Sequence, residues 1–292
     1  MLLNASGCLD ALTAPDTARQ LDAFVTKTVT PQPRGGNAPV RIAETDVGML
    51  NSIGLANAGR DQFLRRTLPR LASTLGIPIW VSVGGFCAHD YAETCAQLED
   101  ADVAVIELNL SCPNVEEAPE PAAEIVAACR AATSLPLYAK LSPASSDVAG
   151  VARAVAQAGA DGLSLVNTIR GLALDAELRP QLGTGTGGLS GPALKPIALA
   201  AVHACYRATS LPIVGMGGVR TGRDALELFA AGARAVALGT VLFSDPSAPA
   251  RIREELSAEL AALELPSPLD AVGIAHGEPL PERKHLDLGS RV

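Results

Sequence analysis

Short apolar, β-branched runs alternate with alanine-rich stretches along the chain, and this alternation restricts the fold more than any other feature. Candidate strands lie at residues 2–5, 23–29, 77–83, 103–110, 135–141, 162–167, 211–216 and 235–238. Between them, residues 61–75, 122–132, 147–158, 192–208 and 224–231 carry apolar side chains at helical spacing. Ser146-Asp147 and Thr221-Gly222-Arg223-Asp224 supply helix-starting side chains. Strands alternating with helices make a parallel sheet, and eight such units close into a (β/α)8 TIM barrel. An open doubly wound sheet is the rival, but no G-x-G-x-x-G follows the first strand. No low-complexity linker interrupts the pattern. One domain is therefore expected over residues 1–292, with 247–292 as a C-terminal helix and tail.

Composition narrows the function classes. Hydrophobic residues make up 48% and charged residues 18%, enough for a sizeable core. No window approaches the roughly 18 consecutive apolar residues of a membrane span, so a soluble, cytoplasmic protein is expected. Ala5-Ser6-Gly7-Cys8 resembles a lipoprotein cleavage box but lacks the basic and apolar regions that precede one. The six cysteines contain no C-x-x-C pair and the four histidines are scattered, so no metal site or iron–sulfur cluster is expected. A net charge of −8 and 3% aromatics argue against a nucleic-acid surface. An anionic small molecule remains compatible, because local lysines outweigh a distant average charge.

In such barrels the chemistry sits at the C-terminal ends of the strands. Those positions carry Ala5-Ser6, Lys27-Thr28, Asn51, Asn109, Cys112, Lys140, Asn167-Thr168, Gly217-Gly218 and Gly239-Thr240. A single glycine pair would merely turn the chain. Two glycine loops after the last two strands point instead to a phosphate held by backbone N–H groups and helix N-termini. The stretch 187–191, after strand six, could add further amides. Lys27 and Lys140 fall inside apolar strands, where a lysine is costly unless paired with an anion. A salt bridge would explain one of them; two beside a phosphate site fit a flavin mononucleotide (FMN) better. A lone Cys112 is ordinarily a small core hydrophobe. Flanked by Asn109 and Asn114, it becomes a candidate proton acceptor beside a flat heterocycle that the carboxamides can bind.

Taken in order, Lys27, Asn51, Asn109-x-x-Cys112-Pro113-Asn114, Asn167-Thr168 and the glycine loops make the chain resemble the class 1 dihydroorotate dehydrogenases. The wording at 41–45, 48–55 and 109–114 is closest to class 1B catalytic subunits. The resemblance implies FMN-dependent oxidation of dihydroorotate to orotate in pyrimidine biosynthesis. It also implies an FAD/iron–sulfur partner subunit and a homodimeric core. By matching position it puts substrate contacts at Lys27, Asn51, Gly54, Leu55, Asn109, Asn114, Asn167 and Thr168. Flavin contacts fall at Ala5, Ser6, Lys27, Thr28, Asn109, Lys140, Val166, Gly188, Gly191, Gly217, Gly218, Gly239 and Thr240. Cys112 would be the catalytic base, with Cys87 the next thiol to consider.

Two departures from that family are expected to matter. The barrel-plugging hairpin that usually precedes strand one is not seen, and the loop after Asn114 is shorter and more acidic. Three rival readings are weaker. A tRNA dihydrouridine synthase would need a basic RNA-binding face. A dihydropyrimidine dehydrogenase-like reductase typically has histidine after Cys-Pro, where this chain has Asn114. A catalytically weak scaffold for an electron-transfer subunit would rest on the shortened loop alone.

Overall fold

The computed structural model describes residues 1–110 and 121–277. Eight parallel strands form the central sheet: β1 (Leu2–Asn4), β2 (Phe24–Val25), β5 (Ile79–Val83), β6 (Val105–Asn109), β7 (Leu137–Leu141), β8 (Gly162–Leu165), β11 (Ile213–Met216) and β12 (Ala235–Leu238). A second, antiparallel sheet contains β3 (Ile42–Thr45), β4 (Gly48–Asn51), β9 (Ile169–Gly171) and β10 (Gly187–Ser190), in the order β3-β4-β10-β9.

The large sheet runs β1-β12-β11-β8-β7-β6-β5-β2 and closes on itself through the parallel bridge Leu3↔Ala23. The backbone ladder is thin at that seam. The buried Asn4 side chain completes it, its Oδ1 accepting from Val25 N at 2.8 Å and its Nδ2 donating to Val25 O at 2.7 Å. This is the expected (β/α)8 barrel. Leu3, Val25, Trp80, Val105, Tyr138, Val214 and Ala237 fill its interior, while a larger apolar layer lies between the strands and the surrounding helices.

Helices begin and end where local chemistry dictates. Asp147 accepts from Gly150 N at the start of Val148–Gln157. Thr221 and Asp224 form a reciprocal capping box at the start of Gly222–Ala231. Gly76, at φ +66°, ends Leu68–Leu75 in the left-handed conformation that glycine adopts at least cost.

Two expectations need correction. The expected strand at 23–29 narrows to β2 because the chain bulges. Thr26 N bonds Trp80 O and Val29 N bonds Ser82 O, so three steps along this segment oppose two along β5. The extra residue re-aims Lys27, which is exposed rather than buried in a strand. The stretch 187–191, expected to add further amides, is largely paired. Residues 187–190 form β10, pairing with β4 and β9, so the long loop after β2 and the segment after β8 meet as one sheet over the barrel mouth.

Candidate active site

A cavity of about 310 Å³ opens at the C-terminal ends of the barrel strands, within the size range of small-molecule sites. Of the residues expected to bind substrate or cofactor, Ala5, Ser6, Lys27, Thr28, Asn51, Gly54, Leu55, Asn109, Lys140, Val166, Asn167, Thr168, Gly191, Gly217, Gly218, Gly239 and Thr240 all line it. Gly188 does not. It lies buried in β10, where its carbonyl accepts from Asn51 Nδ2 at 3.3 Å. Cys112 and Asn114 lie outside the described residues. Cys87 precedes the helix Ala88–Leu98 and is not a lining residue; the thiol that does line the cavity is Cys8.

Side chains from different strand ends fix one another. Asn167 Nδ2 donates to Asn109 Oδ1 at 3.1 Å, and Asn109 Nδ2 donates to Thr28 Oγ1 at 3.2 Å. Thr28 Oγ1 stands 3.0 Å from Ser82 Oγ and 3.3 Å from Ser6 Oγ. The relay orients both carboxamides through contacts within the protein, so the groups facing the cavity are positioned in advance. On the opposite wall, Gly54 and Leu55 are consecutive left-handed residues at φ +69° and +57°. Arg34 Nε bonds Gly54 O at 3.2 Å and holds that turn, which for leucine costs of order 1 kcal/mol or more.

Lys140 is explained differently from Lys27. It remains within β7, 5% exposed, with Nζ 3.4 Å from the carboxylate of Glu107, itself 1% exposed. The salt bridge anticipated for one buried lysine is therefore present here. Cys8 is held well above the ordinary thiol range by burial, opposed by the positive fields of Lys140 and Lys27. That thiol is protonated at neutral pH.

The glycine loops suit an anion. Among the described residues, no acceptor takes the backbone N–H groups of Gly217, Gly218 or Thr240. Gly217 and Gly218 have φ of +124° and +76°, and a Cβ on Gly218 would stand 2.8 Å from Lys195 N, so the chain can pass there only without a side chain. At the start of the helix Gly222–Ala231 several amides already have acceptors. Gly222 N bonds Glu255 Oε2 at 2.7 Å, and Arg220 N and Thr221 N both bond Asp224 Oδ2 at 2.9 Å. The amides open to an anion are those of Gly217, Gly218 and Thr240. Together with Lys27, Lys140 and the carboxamide relay, the donor set fits a phosphorylated flavin.

Sequence reasoning missed Cys8, Ile42, Met49, Ser190, Met216 and Phe243, which also line the cavity. Cys8 follows the expected Ser6 by two positions and could have been found. Ile42, Met49 and Ser190 come from the second sheet, whose pairing carries no local signal.

Comparison with known proteins settles the family. The sequence model of dihydroorotate dehydrogenases matches residues 1–260. The chain belongs to the dihydroorotate dehydrogenase family. A dihydroorotate dehydrogenase B (NAD(+)) catalytic subunit of Desulforudis audaxviator is 45% identical over 265 residues, covering 88% of this chain and 86% of that protein. The subunit of the same name from Latilactobacillus sakei is 47% identical, covering 84% of this chain and 83% of its own length. A dihydroorotate dehydrogenase crystallised with ferulenol, from Eimeria tenella, shares the fold at a TM-score of 0.78 and 23% identity, covering 94% of this chain and 85% of that one. Members of the family depend on flavin. No helix among the described residues is long and apolar enough to cross a membrane.

Proposed function

We propose that this chain is the catalytic subunit of an NAD-linked dihydroorotate dehydrogenase and holds one FMN in the cavity at the strand ends. One observation carries the reading: lysine, carboxamides and open backbone amides from nearly every strand end converge on a single cavity. The amides of Gly217, Gly218 and Thr240 take the phosphate, and Lys140 faces the electron-rich pyrimidine edge of the ring. Asn51, Asn109 and Asn167, with Thr168, bind the substrate pyrimidine, whose edge both donates and accepts. Neutral amides do this without repelling the anionic substrate, as carboxylates would. Lys27, re-aimed by the bulge, reaches both ligands.

The bound flavin supplies the acceptor for the C6 hydride. Cys112 takes the C5 proton from the other face of the ring, and Asn114 adds a further substrate contact. Cys8 is no substitute base, because a half-buried thiol held protonated on the cavity wall cannot readily accept a proton. The relatives named catalytic subunits imply a separate electron-transfer subunit. We infer that it carries FAD and an iron–sulfur cluster and docks on a homodimer of this chain in the cytoplasm.

The test is direct. Purified protein should be yellow and release FMN on denaturation. Its flavin absorbance should bleach on addition of dihydroorotate without oxygen. Release of FAD, or bound flavin that dihydroorotate does not bleach, refutes the reading.

A further inference from the structure

Glu107 is not a lining residue of the cavity, yet it is the most deeply buried carboxylate in its neighbourhood, 1% exposed. Acids are rarely buried so fully without a partner, and here the partner is Lys140 Nζ at 3.4 Å. Side chains alternate along these strands, and the interior set on β5 to β8 is Trp80 and Ser82, Glu107 and Asn109, Tyr138 and Lys140, and Ser164. Glu107 pairs in register with Ser82 and Tyr138, whereas Lys140 pairs with Asn109 and Ser164, one interior position nearer the strand ends. Lys140 therefore stands between Glu107 and the cavity that it lines.

A buried ion pair is weak evidence of stabilising intent, because well-packed neutral residues commonly serve a fold as well. What such a pair does accomplish is to keep an ammonium charged and in place while adding no net charge. We propose that Glu107 is a positioning residue that sets the charge presented to the flavin through Lys140. Resting on the FMN reading above, the inference assigns a function to a residue that touches neither ligand. Reduction adds negative charge to the flavin. A lysine with no counter-charge beside the ring would favour the reduced form and slow onward electron delivery; the carboxylate behind it offsets that bias.

The experiment compares the midpoint potential of bound flavin in the parent, Glu107→Gln and Glu107→Asp at mildly acidic pH, where an amine holds its proton. Flavin identity and stoichiometry are measured first. A parent without FMN refutes the functional reading itself, independently of this inference. In Glu107→Gln the reduced form should be favoured by about tenfold, a potential about 30 mV more positive. Glu107→Asp keeps the charge and should stay close to the parent. An unchanged potential in Glu107→Gln, or an equal shift in both variants, overturns the inference. If Glu107→Gln does not fold, the double variant Glu107→Gln/Lys140→Gln decides. Folding restored by removing both charges supports compensation between them, whereas failure of the double variant assigns Glu107 to packing and overturns the proposal.

Discussion

At the residue scale, neighbours separate groups that look alike in the sequence. Lys27 and Lys140 are both lysines in apolar surroundings, but a bulge turns one into the cavity while Glu107 anchors the other in the barrel. Cys8 and Cys112 divide similarly. The first is a half-buried thiol held protonated, and the second is the group we assign to proton removal. If Cys112 is the base, Cys112→Ala should retain FMN and bind orotate, yet reduce its flavin with dihydroorotate about 10²–10⁴-fold more slowly. Rapid mixing under anaerobic conditions, followed by flavin absorbance, reads this step alone. A near-parental rate would transfer the role to another group.

At the element scale, long-range side-chain bonds fasten helix and loop ends. Glu99, at the end of helix Ala88–Leu98, accepts from the Ser134 and Thr133 hydroxyls beyond helix Ala122–Ala132, and from Ser134 N at 2.8 Å. Those bonds hold its carboxyl at about 2, below the ordinary 4.5. A depressed acid stabilises the fold above its ordinary value, and that contribution disappears as pH falls toward the folded one. Solvent screening reduces it to about 1 kcal/mol, or about 2 °C in Tm. Glu99→Gln should melt lower by that amount at neutral pH, and the gap should close near pH 2, as read by thermal melts across pH. The glycine cradle yields a second element-scale expectation. Gly218→Ala places a Cβ 2.8 Å from Lys195 N on a backbone at φ +76°. FMN affinity should fall tenfold or more, measured by flavin fluorescence during titration of the apoprotein.

At the scale of the whole molecule, the barrel brings the candidate substrate and flavin groups to one end. From the relatives named catalytic subunits we infer that electrons accepted from dihydroorotate leave through a separate subunit. The chain alone should bleach with dihydroorotate but reduce NAD negligibly, and adding the FAD/iron–sulfur subunit should restore the reaction. Rapid NAD reduction by the isolated chain, followed at the nicotinamide absorbance, would contradict this arrangement.

The barrel and most of the residues that line its cavity were legible in the sequence alone. Strand and helix periodicities are local, and a strand's end marks where its functional side chains emerge; hence Asn109, Lys140, Asn167, Gly217 and Gly239 could be placed without coordinates. Tertiary structure decided everything that depends on distant partners. The sheet of β3, β4, β9 and β10 joins Asn51 to Gly188, 137 residues later, through glycine-rich segments with little strand propensity of their own. Glu255 reaches back 33 residues to accept from Gly222 N at the start of the helix Gly222–Ala231. The bulge that re-aims Lys27 exists only in register with β5. Hydrogen-bond register and charge pairing are properties of two segments at once, and neither segment's own residues specify them.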